Sequence, residues 1–328
     1  MTTASGQRDA QATIAGFTAV FAGDAFRAEL DRLVRDRWQA DTRRVQTRLL
    51  KWHWRRCTFE IAIETGRGDR QLIGKVHEED RSEVFHAMAA LGRAGFGPDD
   101  EFSIAQPLAY LPALHVLLEE HVPGRPASDA FADGAPRDRA TVAECCGRWL
   151  ARLHSAGPRV GPVMDLGRKR GRVRVWTAQI ESFGEPLANR SQQLRDALEA
   201  TWPTPVVAVY RAGHGSYIPE HVLLSPGRTA VIDLDEGDVA DPARDVAWFV
   251  LALQRLALRR HGSLRALDDT IETFLQTYAA AAGEGALARL VFYRALECLH
   301  RARNDLVKPS PPARERAEVM LEEGLRLC

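Results

Sequence analysis

The sequence predicts an α+β protein, with a small antiparallel sheet in its N-terminal part and a larger, mainly helical C-terminal part. Three observations carry this. Cys57 to Glu64 alternates Phe59, Ile61 and Ile63 with Glu60 and Glu64, the period of a half-buried strand, and Gly66-Arg-Gly-Asp69 supplies a hairpin turn into a second strand, Gln71 to Val76. From Arg139 onward the long segments instead repeat apolar residues every three to four positions, the period of an amphipathic helix. Within that helical part, Val206 to Val209, Val222-Leu-Leu224 and Thr229-Ala-Val-Ile232 read as short strands. The last two are joined through Ser225-Pro-Gly-Arg228 into a hairpin that delivers Asp233 and Asp235 at its end.

In chain order, residues 1 to about 12 are polar and small and are expected to lack structure. Phe17 to Val34 has a helical period with Gly23-Asp24 as a candidate break, and so reads as one or two helices, and Val45 to Trp54 reads as the first strand. Lys75 stands near the end of the third strand. Asp80-Arg-Ser-Glu83 has the spacing of a capping box and opens a helix with Val84, Met88 and Leu91 on one face. Tyr110 to Leu118 reads as an apolar strand running into Glu119-Glu-His121-Val-Pro-Gly124, so the domain boundary is placed at about residue 123, giving domains 1–123 and 124–328. Ala127 to Pro136 reads as a linker. Arg139 to Ala156 follows as a helix with Val142, Cys146, Trp149, Leu150 and Leu153 on one face. Residues 165–205 hold the basic run Gly167-Arg-Lys-Arg-Gly-Arg-Val-Arg174 and then two helical patterns. Helices are expected through Val246 to Leu253, Leu267 to Ala282, Ala286 to Val307 and Ala313 to Leu327, with a break at Pro309 to Pro312.

Composition narrows the function classes. A content of 45% hydrophobic and 27% charged residues over 328 positions is that of a globular protein with a sizeable core. Lys plus Arg equals Asp plus Glu at 44 each, so no global field argues for a nucleic-acid or membrane partner. An anionic ligand must therefore be held by a local cluster. The five cysteines have no metal-ligand spacing, and Cys145-Cys146 are expected as small residues on a helix. With no secretory signal and no run of eighteen apolar residues, a cytoplasmic location is expected.

The stretch from His214 to Asp245 carries the chemistry. His214-Gly215 precedes Ser216, His221 stands five positions later, Ile232-Asp233-Leu-Asp235 ends the hairpin, and Asp241-Pro-Ala-Arg-Asp245 follows. Here the sequence resembles the aminoglycoside phosphotransferase family, whose pattern is His-Gly-Asp, Asn five positions on, Ile-Asp-x-Asp, and Asp-Pro-x-x-Asp. The resemblance implies a bilobal protein-kinase-like fold and ATP with Mg²⁺ as cofactors. Ser216 stands where the family has its catalytic Asp, and His221 where it has a metal-ligand Asn. The family implies that Asp233 holds Mg²⁺, that Asp235 adds a second contact, that Lys75 reaches the nucleotide phosphates, and that Glu83 orients Lys75. It also implies that the hinge binds adenine through the Glu119 C=O and the His121 N–H, and that Asp245 braces the catalytic loop. The loop between the first two strands lacks the glycines that cover phosphates in protein kinases, and Arg55 and Arg56 are candidates to replace them by charge. An exposed turn explains them equally.

Ser216 and His221 decide the enzymology. A Ser hydroxyl lacks the basicity of a carboxylate, and general-base help is worth about 10²–10⁴ in rate. Phosphoryl transfer rests mainly on positioning and charge, so this loss would slow the reaction without abolishing it. His221 either alters the metal demand or substitutes as base. Three readings follow: a phosphotransferase acting on a hydroxyl of a small molecule such as an antibiotic, sugar or metabolite; a kinase acting on Ser or Thr of a peptide; and a pseudokinase that binds nucleotide or a protein partner without turnover. Glu181, Glu185, Asp196 and Glu199 hint at an acidic groove for a cationic acceptor, while the basic run reads first as a solvated face and would also suit an acidic or phosphorylated acceptor.

Overall fold

The computed structural model describes residues 16–53, 55–308 and 311–328, so the expectations for residues 1 to about 12, for Trp54 and for Pro309 fall outside it. The chain divides into two compact units, Met1–Pro123 and Gly124–Cys328.

In the first unit, helical residues 16–22 end at Gly23 and helix α1 (Asp24–Trp38) follows. Strands β1 (Thr42–His53), β2 (Arg56–Thr65) and β3 (Arg70–His77) form antiparallel hairpins; helix α2 (Ser82–Arg93) and strand β4 (Phe102–Ile104) come next. The apolar run Tyr110 to Leu118, read as one strand, is a hairpin. Strands β5 (Pro107–Leu111) and β6 (Val116–Glu120) flank a turn in which Pro112 lacks a ladder N–H and His115 takes a left-handed φ of 50°. The sheet runs β1-β2-β3-β6-β5. Its alternating β2 face, Phe59, Ile61 and Ile63, buries against Phe26, Leu30 and Val34 of α1, which is why these two periods share one core. Val84, Met88 and Leu91 of α2 are buried as expected. The expected capping box is absent: Arg81 is the N-cap without a side-chain bond, because the Asp80 carboxylate instead accepts from Ser82 N (3.0 Å) and the Tyr110 hydroxyl (2.5 Å).

The second unit opens with strand β7 (Arg125–Pro126). The expected linker is instead helix α3 (Ala127–Asp133), whose Ala127, Ala130 and Phe131 are buried. Small residues that suggested a loop here supply close packing. Helices α4 (Pro136–Ala156), α5 (Leu166–Glu181) and α6 (Leu187–Ala200) follow, and the basic run lies inside α5, whose start is capped by Asp165. Val207–Val209 forms a 3₁₀ turn with exposed side chains rather than a strand, and the strand falls later, as β8 (Arg211–Gly213). Tyr210 begins the buried stretch, so the valines mark its approach. The hairpin is as read: β9 (Val222–Ser225) pairs with β10 (Arg228–Val231) across Gly227, whose φ is 73°. Strand β11 (Asp238–Ala240) pairs with β8, and helices α7 (Pro242–His261), α8 (Asp268–Ala282), α9 (Leu290–Val307) and α10 (Arg314–Leu327) complete the unit. Helix α7 is buried along nearly its whole length. Its Phe249 stacks on Tyr217 (5.1 Å between centroids) and Phe274 (4.3 Å), and Tyr217 stacks on Trp149 of α4 (5.5 Å). That aromatic column fixes the loop holding residues 214–218 to the helical core.

Candidate active site

The loop between β8 and β9 is held from below by one carboxylate. Asp245, in the first turn of α7, accepts the main-chain N–H of His214 (2.6 Å) and of Gly215 (3.1 Å). Arg244 donates to Asp245 Oδ1 (2.9 Å) and to Asp238 Oδ1 (2.7 Å), and His154 Nε2 lies 3.5 Å from Asp245 Oδ2. Burial pushes the Asp245 carboxyl upward, but Arg244 and His154 outweigh it and hold the group well below its usual range. Gly215 has φ 82°, and a Cβ there would collide with the Glu236 carbonyl, so only glycine lets the loop turn under the 234–236 segment.

The same loop presents the imidazole of His214 to the core, where burial depresses its pKa. Its Nε2–H donates to Ile232 C=O (3.1 Å) and its Nδ1 accepts from Ser216 N–H (3.4 Å), a consistent neutral tautomer. His214 therefore ties loop to hairpin and is not exposed to act as a base.

At the outer end of the loop, His221 and Asp233 meet. Asp233 takes a left-handed conformation, φ 64° and ψ 52°, which turns its carboxylate out of the hairpin as the strand ends. Its Oδ2 lies 3.4 Å from His221 Nε2, and His221 Nδ1 donates to Ser216 C=O (3.1 Å). A neutral imidazole with its proton on Nδ1 presents a lone pair to the carboxylate. The pair is thus complete when a proton, or a cation in its place, sits between Nε2 and Asp233. The rings of His214 and His221 stack at 5.7 Å, which fixes that orientation. Ser216 is half-buried, and among the described residues its hydroxyl has no hydrogen-bond partner. Of the three expected metal ligands the structure joins His221 and Asp233. Asp235, 2% exposed in the turn Leu234–Glu236, does not complete a cluster, since no three His, Cys, Asp or Glu among the described residues converge as a metal site. A carboxylate beside an imidazole fits a divalent ion that draws its remaining ligands from phosphate and water, and imidazole nitrogen suits Mn²⁺ better than Mg²⁺.

In the first unit, Lys75 Nζ lies 2.9 Å from Glu119 Oε1, with side chains 5% and 3% exposed. Glu83, expected as the partner, is 52% exposed and accepts from Arg81 (2.6 Å). The correction has a simple cause. Lys75 pairs in register with Leu117, so Glu119, two residues along β6, shares its face diagonally, whereas Glu83 lies in the outward first turn of α2. Glu119 had been expected to act through its main chain, and only strand register reveals its carboxylate. Arg55 is engaged by Glu78 (3.0 Å) and Glu79, which answers its charge locally. Arg56 opens β2 opposite His77, and His121 is half-buried directly after β6.

The acidic groove hinted at by four carboxylates does not form. Glu199 pairs with Arg170, Asp196 with Arg195, while Glu181 and Glu185 accept from Gln192 and the Asn189 N–H.

A brace under a His-Gly loop, followed by a hairpin ending in a carboxylate, is the frame of a phosphotransferase site. The profile of the phosphotransferase enzyme family (APH) matches residues 60–293. The chain belongs to this family. Its fold is protein-kinase-like, and solved structures bear this out. A Ralstonia eutropha JMP134 protein assigned as an aminoglycoside phosphotransferase aligns with a TM-score of 0.64 at 18% identity, over 91% of this chain and 96% of that one. Choline kinase LicA from Streptococcus pneumoniae gives 0.58 at 14% identity, over 92% and 99%. Spectinomycin phosphotransferase APH(9)-Ia, solved with ADP and spectinomycin, gives 0.58 at 15%, over 92% and 96%. At these identities the likeness is one of fold. No curated protein sequence matches this one. Among the described residues, no helix is long and apolar enough to cross a membrane.

Proposed function

We propose that the protein is an ATP-dependent phosphotransferase that moves the γ-phosphoryl group to a hydroxyl of a small molecule. The observation that carries this reading is the His221–Asp233 pair, 3.4 Å apart at the end of a hairpin whose loop Asp245 fixes, in a chain of the phosphotransferase family. Asp233 would hold a divalent ion through its carboxylate, an ion that when bound neutralises phosphate charge, while His221 Nε2 keeps its lone pair for a proton. Lys75, kept extended by Glu119, offers its ammonium to phosphate oxygens, and the main chain from Glu119 to His121 offers the adenine its hydrogen bonds. Ser216 orients the acceptor hydroxyl by hydrogen bonding. As that oxygen bonds to phosphorus and the bond to the ADP oxygen breaks, the hydroxyl proton must leave. With Nδ1–H fixed on Ser216 C=O, His221 Nε2 is the atom that receives it.

One observation favours a second reading. Ser216, in place of a carboxylate, removes the strongest base of such a site, which would suit a protein that binds nucleotide without turnover. The test is ATP consumption by wild type, Ser216→Asp, His221→Asn and the double variant, with choline, spectinomycin, a hexose and a Ser/Thr peptide as acceptors. Acceptor-dependent turnover by the wild type supports the enzyme, and the acceptor used separates small molecule from peptide. Nucleotide binding without turnover by all four proteins supports the second reading.

A further inference from the structure

The second unit contains a cavity of about 570 Å³ that includes none of Ser216, His221 or Asp233 among its lining residues. Its walls come from the end of α4 (His154, Ser155), the start of α7 (Asp241, Pro242), the end of α8 (Tyr278, Ala281, Ala282) and the turn after it. Arg211 and Arg289 complete it. The volume is that of a small-molecule site.

The charges of this cavity do not cancel. Asp241 is spent twice, as the cap of α7 accepting Ala243 N–H (3.0 Å) and as the partner of Arg289 (2.9 Å). Among the described residues Arg211 has no carboxylate partner: its Nη1 donates to Ala208 C=O (3.1 Å) and Tyr210 C=O (2.9 Å), which leaves its Nη2 and Nε donors. Arg211 also lies near enough to Tyr278 to oppose the upward push that burial gives the phenol. A guanidinium with unspent donors beside a phenol, facing a wall of alanines, matches an anionic head on a compact apolar body.

The floor of the cavity connects to the loop. Tyr278 O–H donates to His154 Nδ1 (2.7 Å), His154 Nε2 faces Asp245 Oδ2 (3.5 Å), and Asp245 holds the N–H groups of His214 and Gly215. We propose that this cavity is a second ligand site, taking a small molecule with a carboxylate or phosphate head on Arg211 and an apolar body against Tyr278, Ala282 and Ala286, and that its occupancy tightens the His214–Gly215 loop through Tyr278, His154 and Asp245.

The probes are benzoate and phenyl phosphate, with benzylamine and benzyl alcohol as controls. Affinity is measured by calorimetry, and amide exchange of residues 211–218 by mass spectrometry, on the full chain. The variants are Arg211→Gln, which removes the charge, and Ala286→Phe, which fills the cavity from a partly exposed turn. Neither belongs to the phosphotransfer site, and folding of each is checked by its melting curve. The expected result is that an anionic probe binds about tenfold tighter than either control, that each variant weakens it about tenfold, and that exchange at 214–216 slows. A benzoate response alone identifies a carboxylate head, and a phenyl phosphate response alone a phosphate head. The proposal is overturned if neither anion binds, if benzylamine binds as well, if binding survives Ala286→Phe, as it would for phosphate held at the nucleotide site, or if exchange at 214–216 is unchanged. None of these readouts depends on phosphoryl transfer.

Discussion

The two ends of the loop from His214 to His221 are built on different terms. At its base Asp245 is fully buried and meets two main-chain N–H groups, Arg244 and His154. At its tip Asp233 and His221 are 20% and 13% exposed, lie 3.4 Å apart, and sit beside a Ser216 hydroxyl without a partner among the described residues. The base is over-determined and sets geometry. The tip is partly exposed and sets a carboxylate beside an imidazole, a pair that a proton or a cation can bridge.

The largest expected effect breaks the base. Asp245→Ala removes one partner of a buried ion pair and strands two main-chain donors, and should cost about 3–5 kcal/mol in urea unfolding. Asp233→Ala, at a partly exposed tip, should cost less than about 1 kcal/mol without ligand. Equal losses would mean that the tip is structural too. The Lys75–Glu119 pair extends the contrast to the first unit. Lys75→Met should cost about 3 kcal/mol by leaving Glu119 buried and unpaired, and Lys75→Met with Glu119→Leu should recover most of it. A double variant no more stable than Lys75→Met would show that the pair is not the cause. At the tip, Ser216→Asp should raise acceptor-dependent ATP consumption by about 10²-fold, since it supplies a carboxylate base within a loop whose main chain need not move. A lower rate in that variant would show that Ser216 and His221 form a working site of a different design.

The smallest effect is a pH dependence. Burial holds His214 below its usual value of 6.5 in the folded state, so the unfolded chain takes up a proton that the native form refuses. Stability should therefore fall as pH drops below about 6.5, by at most about 1.4 kcal/mol per pH unit for one proton. His214→Gln keeps the donor to Ile232 but does not titrate, and should flatten that slope between pH 6.5 and 5. Asp245 acts in the same direction in a lower window: its contribution is present above about pH 4 and is lost as pH falls through and below 3.8. An unchanged slope in His214→Gln would place the acid sensitivity elsewhere.

What the sequence made legible follows the reach of local signals. The alternation in β2, the turn at Gly227, the His-Gly loop, the carboxylate after Ile232 and the Asp245 brace all lie within short, ordered stretches, and each stands where its pattern indicated, whereas the left-handed conformation of Asp233 was not legible. Contacts set by register or by distant helices were not legible. Glu119 reaches Lys75 because of a diagonal across β3 and β6, and His154 reaches Tyr278 across 124 positions. Helix α3 was hidden for another reason: its alanines, aspartates and flanking glycine and proline are also loop residues, and only burial of Phe131 distinguishes the two. The position of Glu83 misled because a capping spacing and a lysine-orienting role call for the same residue, whereas its carboxylate does neither and pairs with Arg81.

The tip that carries Asp233 and His221 is proposed as a nucleotide-metal site. The direct measurement is the melting temperature of wild type and Asp233→Ala with ATP, with ATP plus Mg²⁺ or Mn²⁺, and with metal alone. At such a site millimolar ATP with metal raises the wild-type melting temperature, Asp233→Ala loses the metal-dependent part of the shift, and metal alone gives little. A wild type that shows no nucleotide-dependent shift, or an Asp233→Ala variant that shows the full one, would contradict it.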